Sequence, residues 1–585
     1  MQPIDLTTLT AACAELRNHW LPARLEQVYQ RDRYTIALCL RTLQERGWLD
    51  ISWHPQAARV CISEPPPRTP DTFTFSQQLR HQLCGLALVA IVAVAPWERA
   101  IDLQFARRPG EPVLWHLYVE VMGKRSNVIL TNQDNLIITA AHQVSERESR
   151  VRPVLTGQPY ELPPALTEPV PSLREALESW RGRVSLIPGQ LGRQLLKSYR
   201  GLSPSLVESM AIAADLDPTQ NTNNLKDSDW QRLFSCWQKW LQALEKEEFH
   251  PRWTAYGYTV LDFLPGEPAA SVQELLNRYY THQLEQQEFK QLRHQLSQKL
   301  SKELAKLQLK ARTFQERLQQ SDEADIYRKQ ADLLMANLQQ WQPGMKEITL
   351  PDFETSASVK ISLEPEKNAV QNAQALYRRH QKLKRARLAV EPLLAQVKAE
   401  IDYLEQVEST IAQLENYREP SDLQALEEIR DELIEQGYLE NPEYRSRREV
   451  AETDFYRYRS PSGFEVLVGR NNRQNDQLSF RLAGDYDLWF HTQEIAGSHV
   501  LLRLEPKAVP DEADLQFAAD LSAYYSRARE AAQVPVVYTK PKFVYKPKGA
   551  KPGMVVYKHE RVWWGRPAGV SSVIASQVFR DKETF

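Results

Sequence analysis

Five lysines, Lys540, Lys542, Lys546, Lys548 and Lys551, fall between Val534 and Tyr557 with no acid among them. Tyr538, Phe543, Tyr545 and Tyr557 are interleaved with them. Ammonium groups neutralise phosphates and release counterions, and aromatic faces stack on unpaired bases, so this spacing points to nucleic acid. A solvated basic loop whose aromatics belong to a core is the alternative for the same residues.

Charge gathers in a second place. The first 160 residues hold 16 Arg and a single Lys, Lys124. The planar guanidinium suits phosphates and base edges, although genome composition produces the same bias. The run Tyr199 to Met210 reads as a helix, a tight turn at Gly201, and a second helix opened by Ser203-Pro204. Such a hairpin can hold a phosphate on its backbone N–H groups or serve as a plain structural turn. Glu98-Arg99 follows Pro96-Trp97 at the start of a strand; in isolation an adjacent acid and base form a surface pair of little energy. His491 and His499 lack the further ligands a metal needs, which leaves a structural or RNA-contacting role.

Catalytic and cofactor signatures do not appear. There is no G-x-x-x-x-G-K-[ST], no G-x-G-x-x-G after a strand, no G-x-S-x-G and no H-E-x-x-H. The five cysteines, Cys13, Cys39, Cys61, Cys84 and Cys236, are odd in number and contain no C-x-x-C, which argues against a disulfide framework or a cysteine zinc site. Neither metal nor cofactor is expected.

These residues must be carried by several domains, because 585 residues correspond to roughly four. The formal charge of −2 excludes a polycation, and 42% apolar residues exclude a wholly disordered chain. Met1 to Asp5 lacks the pattern of a signal peptide, and the most apolar stretch, Leu83 to Ala95, is too short to span a bilayer. A cytoplasmic chain without a membrane segment is expected.

Four blocks follow from periodicity. Residues 1–170 alternate apolar and polar at Ala58–Ile62, Ala100–Phe105, Leu114–Val119, Asn127–Leu130 and Leu136–Ile138, which predicts an antiparallel sheet. Leu6–Trp20 and Tyr34–Glu45 read as helices in that block, and the five prolines between Gly157 and Pro171 read as a linker. Residues 171–255 form a small helical block. In 256–440, Phe289, Leu292, Leu296, Leu300 and Leu304 step by three or four, as do Val390, Leu394, Val397, Ile401 and Leu404. Two long helices, about 271–340 and 367–417, should therefore pair as an antiparallel coiled-coil arm capped by Trp341–Gly344 and the strand-like Val359–Leu363. After Asn441-Pro442 the period returns to two, and 441–585 reads as a second α+β domain. Its expected strands are Phe464–Val468, Leu478–Phe480, Leu488–Phe490 and Val500–Leu502, with a helix over Asp511–Ala532.

The chain resembles the NFACT family almost end to end. That family comprises bacterial ribosome quality control factors of the RqcH type, eukaryotic NEMF and proteins long labelled fibronectin-binding protein A. The resemblance rests on Glu26–Gln30, Glu120–Asn127 and Pro153–Pro164, then on Asn372-Ala-Gln374, Tyr377 and Lys382–Lys384 in the arm. In the last block it rests on Gly469–Asp476, Asp487–His491, Gly497–Val500 and Lys546–Gly553.

The resemblance implies a multidomain α+β chain: a glycosylase-like N-terminal domain, a helix-hairpin-helix domain, the coiled-coil arm and an NFACT-R RNA-binding domain. It implies binding to large ribosomal subunits obstructed by peptidyl-tRNA, and recruitment of tRNA, alanine tRNA in bacteria, for untemplated C-terminal tailing of stalled chains. Peptide transfer would fall to the ribosome, so the chain is not expected to be an enzyme, and a small RNA-binding helper protein would be a partner. The family's Asp-Arg pair tied to tRNA matches Glu98-Arg99, one methylene longer and approached through Ala95-Pro96-Trp97 instead of a Gly-type turn; Arg125 and Asn127 join it. Arg470, Asn471, Asn472, His491 and His499 join the five lysines as RNA-binding residues. An exported fibronectin-binding adhesin or a glycosylase-like DNA-binding protein are the rival classes. The first would need an export signal; the second a freed N-terminal proline, whereas here Gln2 precedes Pro3.

Overall fold

The computed structural model describes residues 1–440, 455–571 and 574, apart from 68–69, 150, 165–166, 256, 354 and 356. It divides into two compact units, Met1–Leu284 and Glu285–Phe585.

The first unit opens with α1 (Leu6–Trp20), whose N-cap Asp5 accepts a hydrogen bond from Thr8 N at 2.8 Å. The strands β1 (Ala23–Asp32), β2 (Thr35–Arg41), β3 (Arg46–Ser52) and β4 (Arg59–Ser63) follow. After α2 (Thr74–Leu83) come β5 (Ala87–Ala93), β6 (Ala100–Ala106), β7 (Trp115–Glu120), β8 (Asn127–Asn132) and β9 (Ile137–Ala140). All nine form one antiparallel sheet in the order β4-β3-β2-β1-β5-β6-β7-β8-β9.

The helix expected over Tyr34–Glu45 is instead strand β2. Ile36, Leu38 and Leu40 enter the main core while Ala37 and Cys39 pack on the opposite face with Trp48. A strand buried on both faces shows a continuous apolar run, and such a run carries no period to separate it from a buried helix. The proline-rich segment begins as part of the sheet domain: the Tyr160 ring stacks on Tyr118 at 3.8 Å and its hydroxyl donates to Glu120 at 2.9 Å.

Helices α3 (Leu177–Val184), α4 (Leu191–Ser198), α5 (Pro204–Ala213) and α6 (Asp227–Lys246) pack around Trp180, Trp230, Trp237 and Trp240, all buried. A short sheet of β10 (Arg252–Thr254), β11 (Gly257–Thr259) and β12 (Glu267–Pro268) precedes α7 (Val272–Asp322).

In the second unit the distal part of α7, then α8 (Ala324–Ala336), β13 (Glu347–Pro351), β14 (Ser358–Ser362) and α9 (Ala369–Gln413) build the arm. Phe289, Leu296 and Leu304 of α7 pack with Leu404, Val407 and Ile411 of α9, while Ala311 and Phe314 meet Leu394 and Val397. Rising residue numbers on α7 meet falling numbers on α9, as an antiparallel pair requires. The first long helix is interrupted at Glu323, and a hairpin of β13 and β14 makes the cap. Helix α10 (Pro420–Glu435) then adds Leu426, Ile429 and Leu433 to the base of the arm.

The last domain has β15 (Tyr456–Arg459), β16 (Glu465–Val468), α11 (Asn472–Gln477), β17 (Leu488–Thr492), β18 (Val500–Leu502), α12 (Glu512–Tyr524) and β19 (Val534–Thr539). A small hairpin of β20 (Val544–Tyr545) and β21 (Val556–Tyr557) leads to β22 (Arg561–Gly565). The six-stranded sheet runs β15-β16-β18-β17-β19-β22, with α12 packed on one face.

Two expectations fail here. Leu478–Phe480 lies in a π-helical turn, Leu478–Leu482, that continues α11; the apolar-polar-apolar order Leu478-Ser479-Phe480 mimics a strand, but Leu478 is buried and Phe480 exposed, which a strand would not allow on one face. The helix over Asp511–Ala532 ends at Tyr524. Asn441-Pro442 lies outside the described residues. No helix among the described residues is long and apolar enough to cross a membrane.

Candidate nucleic-acid interface

In the first unit, Glu98 and Arg99 occupy the turn between β5 and β6. Trp97 adopts φ 64°, a left-handed conformation that a bulky residue holds only under packing constraint. Its indole packs edge-on against Trp240 at 5.7 Å. It also covers Gly201, where φ is +80° and an added Cβ would lie 2.6 Å from the ring. The β5–β6 turn is thereby set against the α4–α5 hairpin, whose second helix is capped by Ser203 through Leu206 N at 3.1 Å. Ser203 also donates to Asp5 at 2.6 Å, tying the two helix N-termini together.

Arg99 Nη1 donates to Ile4 O at 3.3 Å, and the Arg99 carbonyl accepts from Val121 N at 2.8 Å. Glu98 Oε1 is buried and has no hydrogen-bond partner among the described residues. An acceptor left open in this way favours a donor brought from outside. Arg125 is exposed on a 3₁₀ turn, Gly123–Arg125, at the same end of the sheet. Asn127 is not exposed: it accepts from Val128 N and His142 N and donates to His142 O at 2.7 Å, which fixes the start of β8.

In the second unit the Gly469–Asp476 run faces inward. Arg470, 6% exposed, donates to Glu419 and Ser421, each at 2.7 Å, and to Asp422 at 3.3 Å, with its guanidinium over the Tyr456 ring. Desolvation alone would raise the Glu419 carboxyl, but hydrogen bonds from Ser421 and Arg470 hold it below its ordinary value. Asn471 caps α11 through Gln474 N and donates to Glu428 at 2.6 Å, while Asn472 donates to Glu432 at 3.1 Å. Burial raises the Glu432 carboxyl. These side chains latch the domain onto α10, so the expectation that they contact RNA gives way to a structural role. A buried guanidinium already held by carboxylates has little left for phosphate.

His499 is 1% exposed; its Nδ1 lies 2.7 Å from Ser479 Oγ and its backbone N–H donates to Asn475 Oδ1. His491 stacks on Trp489 and approaches Gly497 O at 3.3 Å. Burial pushes His491 down to about 4 and His499 well below the imidazole range, so both are neutral at pH 7. Neither presents a cation to RNA.

The five lysines divide. Lys546 pairs with Asp476, and Lys551 lies over the Tyr403 and Tyr438 rings at 4.6 and 4.3 Å, with burial lowering its pKa. Lys540, Lys542 and Lys548 are exposed. Three interleaved aromatics are engaged inside the fold: Tyr538 on Phe490, Phe543 on His559 and Tyr557 on Trp489. Tyr545 is exposed, with Lys558 5.8 Å from its ring centroid.

The partners of the signature run were not legible beforehand. Glu428 and Glu432 sit one helical turn apart on α10, a pattern shared by any solvated helix. Among the described residues no cluster of three or more His, Cys, Asp or Glu could hold a metal ion.

Two family models match the chain. The family described as NFACT N-terminal and middle domains matches residues 5–452, and that described as NFACT protein RNA binding domain matches residues 454–559. The Rqc2 homolog RqcH of Bacillus subtilis (strain 168) is 31% identical over 580 residues, covering 94% of this chain and 96% of the relative. That of Streptococcus suis (strain 05ZYH33) is 29% identical over 565 residues, covering 94% and 95%. Among solved structures, the C-terminal part of the fibronectin/fibrinogen-binding protein from Streptococcus suis is 30% identical and covers 48% of this chain and 95% of its own, with a TM-score of 0.36.

Proposed function

The chain belongs to the NFACT family, and from that premise we propose that it is a ribosome-associated quality control factor. It binds large ribosomal subunits obstructed by peptidyl-tRNA and recruits tRNA, alanine tRNA, for untemplated tailing of the stalled chain. Its similarity to proteins named Rqc2 homolog RqcH and its match to an RNA-binding domain support a quality control role. In this reading the first block is a glycosylase-like domain followed by a helix-hairpin-helix domain, the chain works in the cytoplasm, and a small RNA-binding helper cycles with it.

The observation that carries the tRNA role is Glu98. A carboxylate oxygen without a partner beside Arg99, at a turn held against the Gly201 hairpin, offers an acceptor and a donor together. Such a pair suits a base edge or a phosphate and its neighbour. Peptide transfer is left to the ribosome, and the chain supplies position: the first unit to tRNA, the exposed lysines to RNA phosphates, the arm to the subunit surface.

The test is a tagged pull-down at moderate salt with sequencing of bound RNA. Large-subunit rRNA with little small-subunit rRNA, plus enriched alanine tRNA, is the expected result. Large-subunit rRNA without tRNA would remove the tailing role. Absence of rRNA above background would overturn the reading.

A further inference from the structure

The basic surface of the RNA domain continues past the lysine run into the edge strand β22, beyond the residues matched by the RNA-binding family. This inference rests on the quality control reading and concerns how the domain meets RNA. Among the described residues, strand β22 pairs with β19 alone, through Val562 with Val537, Trp563 with Val536 and Trp564 with Pro535. Trp563 turns toward α12, where its Nε1 donates to Gln516 Oε1 at 2.9 Å. Val562 and Trp564 point to the opposite face and are 49% and 55% exposed. An indole this open on an edge strand is unusual unless something covers it.

The surrounding charge favours RNA as that cover. Among the described residues, Lys540, Lys542, Lys558, Arg561 and Arg566 are exposed along the hairpin and strand and outnumber the exposed acids beside them, Glu494 and Glu560. The main alternative, a protein strand added to the β22 edge, finds one edge position closed. Pro535 O accepts from Gln493 N on the inner side, so the paired residue Trp564 turns its carbonyl outward, and that carbonyl already accepts from Gln516 Nε2 at 2.9 Å. The backbone edge is blocked there while the ring stays open.

We propose that Trp564, with Val562 beside it on the same face, is a stacking platform for unpaired RNA bases, while the exposed basic residues of the hairpin and strand hold the phosphates. Aromatic faces on a sheet beside a positive groove hold single strands with little sequence preference, because every base has a π-face. Lysines set the salt dependence; the indole sets the preference for unpaired over duplex RNA.

The test compares the full chain with Trp564→Ala, Trp564→Phe and Lys540→Glu/Lys542→Glu, using a 12-nucleotide oligouridine and a 12-base-pair RNA duplex in fluorescence anisotropy. Large-subunit co-sedimentation is measured in parallel. Trp564→Ala should weaken oligouridine about tenfold, leave the duplex within twofold and keep the salt slope, while Trp564→Phe retains most affinity. The lysine variant should lower the salt slope for both RNAs. Unchanged oligouridine binding by Trp564→Ala, or an equal loss on duplex, would overturn the proposal. A wild-type chain that binds large subunits but not oligouridine would overturn it and leave the quality control reading standing; binding to neither would remove both.

Discussion

The indole of Trp97 covers Gly201 so closely that a Cβ at position 201 would come within 2.6 Å of the ring. Both residues have positive φ, 64° and 80°; glycine adopts it freely at 201, while the strained Trp97 backbone is held by the contact. The strand turn carrying Glu98-Arg99 and the helical hairpin are therefore one structural piece.

Gly201→Ala meets two penalties, the left-handed backbone and the overlap with Trp97. Together they should destabilise the first unit by about 3 kcal/mol, read as a lower urea midpoint. Trp97→Ala/Gly201→Ala should recover more than about 1 kcal/mol of the summed single losses, since the overlap disappears. Strict additivity would show that the ring is not the obstacle.

Replacing Glu98 and Arg99 together by Ala should abolish tRNA recovery in a pull-down while large-subunit association survives. Neither side chain is core, and the Arg99 contact to Ile4 O is a single peripheral hydrogen bond, so folding should hold. Unaltered tRNA recovery would remove the pair from the site.

Arg470→Ala leaves Asp422 buried without its cation and should destabilise the second unit by about 3–5 kcal/mol, measured by denaturant unfolding. RNA affinity of the protein that remains folded should not change. If stability held and RNA binding fell instead, Arg470 would be an RNA contact after all.

The buried histidines make a pH prediction with a definite sign. Because the folded-state pKa of His491, about 4, lies below the ordinary value of 6.5, the unfolded chain binds the extra proton first. Stability is complete above pH 6.5 and falls as pH drops toward 4, by about 1 kcal/mol at pH 5.5 from this group alone. In histidine-labelled NMR, the His491 and His499 signals should stay at neutral positions down to pH 5. Titration of either near 6.5 would contradict the burial argument.

Arg378, Lys382 and Arg385 follow one another at i, i+4 and i+7 on α9 and are exposed. Reversing all three to Glu should weaken large-subunit association and flatten its dependence on log salt by roughly 2–3. An unaltered salt slope would show that this stripe meets no phosphate.

Several features were legible in the residues themselves. The arm could be read because its seam repeats over many turns, and the Ser203 cap because capping is local. Strand β2 could not, since Ile36–Leu40 is apolar on both faces. Family membership was equally legible: Gly469–Asp476 identifies the domain as a string, whatever its side chains touch.

What the string leaves open is which charges face water. Lys540 and Lys551 look alike in sequence, yet one is exposed and the other sits over two tyrosines, one on α9 and one just beyond α10. Arg470 meets Glu419 across 51 residues, and the exposed indole of Trp564 depends on β22 lying at a sheet edge. Periodicity, capping and motif reside in neighbours along the chain, so the sequence alone determined the family and the elements whose pattern is local, such as the arm and the Ser203 cap. Burial and ion pairing arise between segments far apart in sequence, and only the tertiary structure decided which basic and aromatic residues remain free to meet RNA.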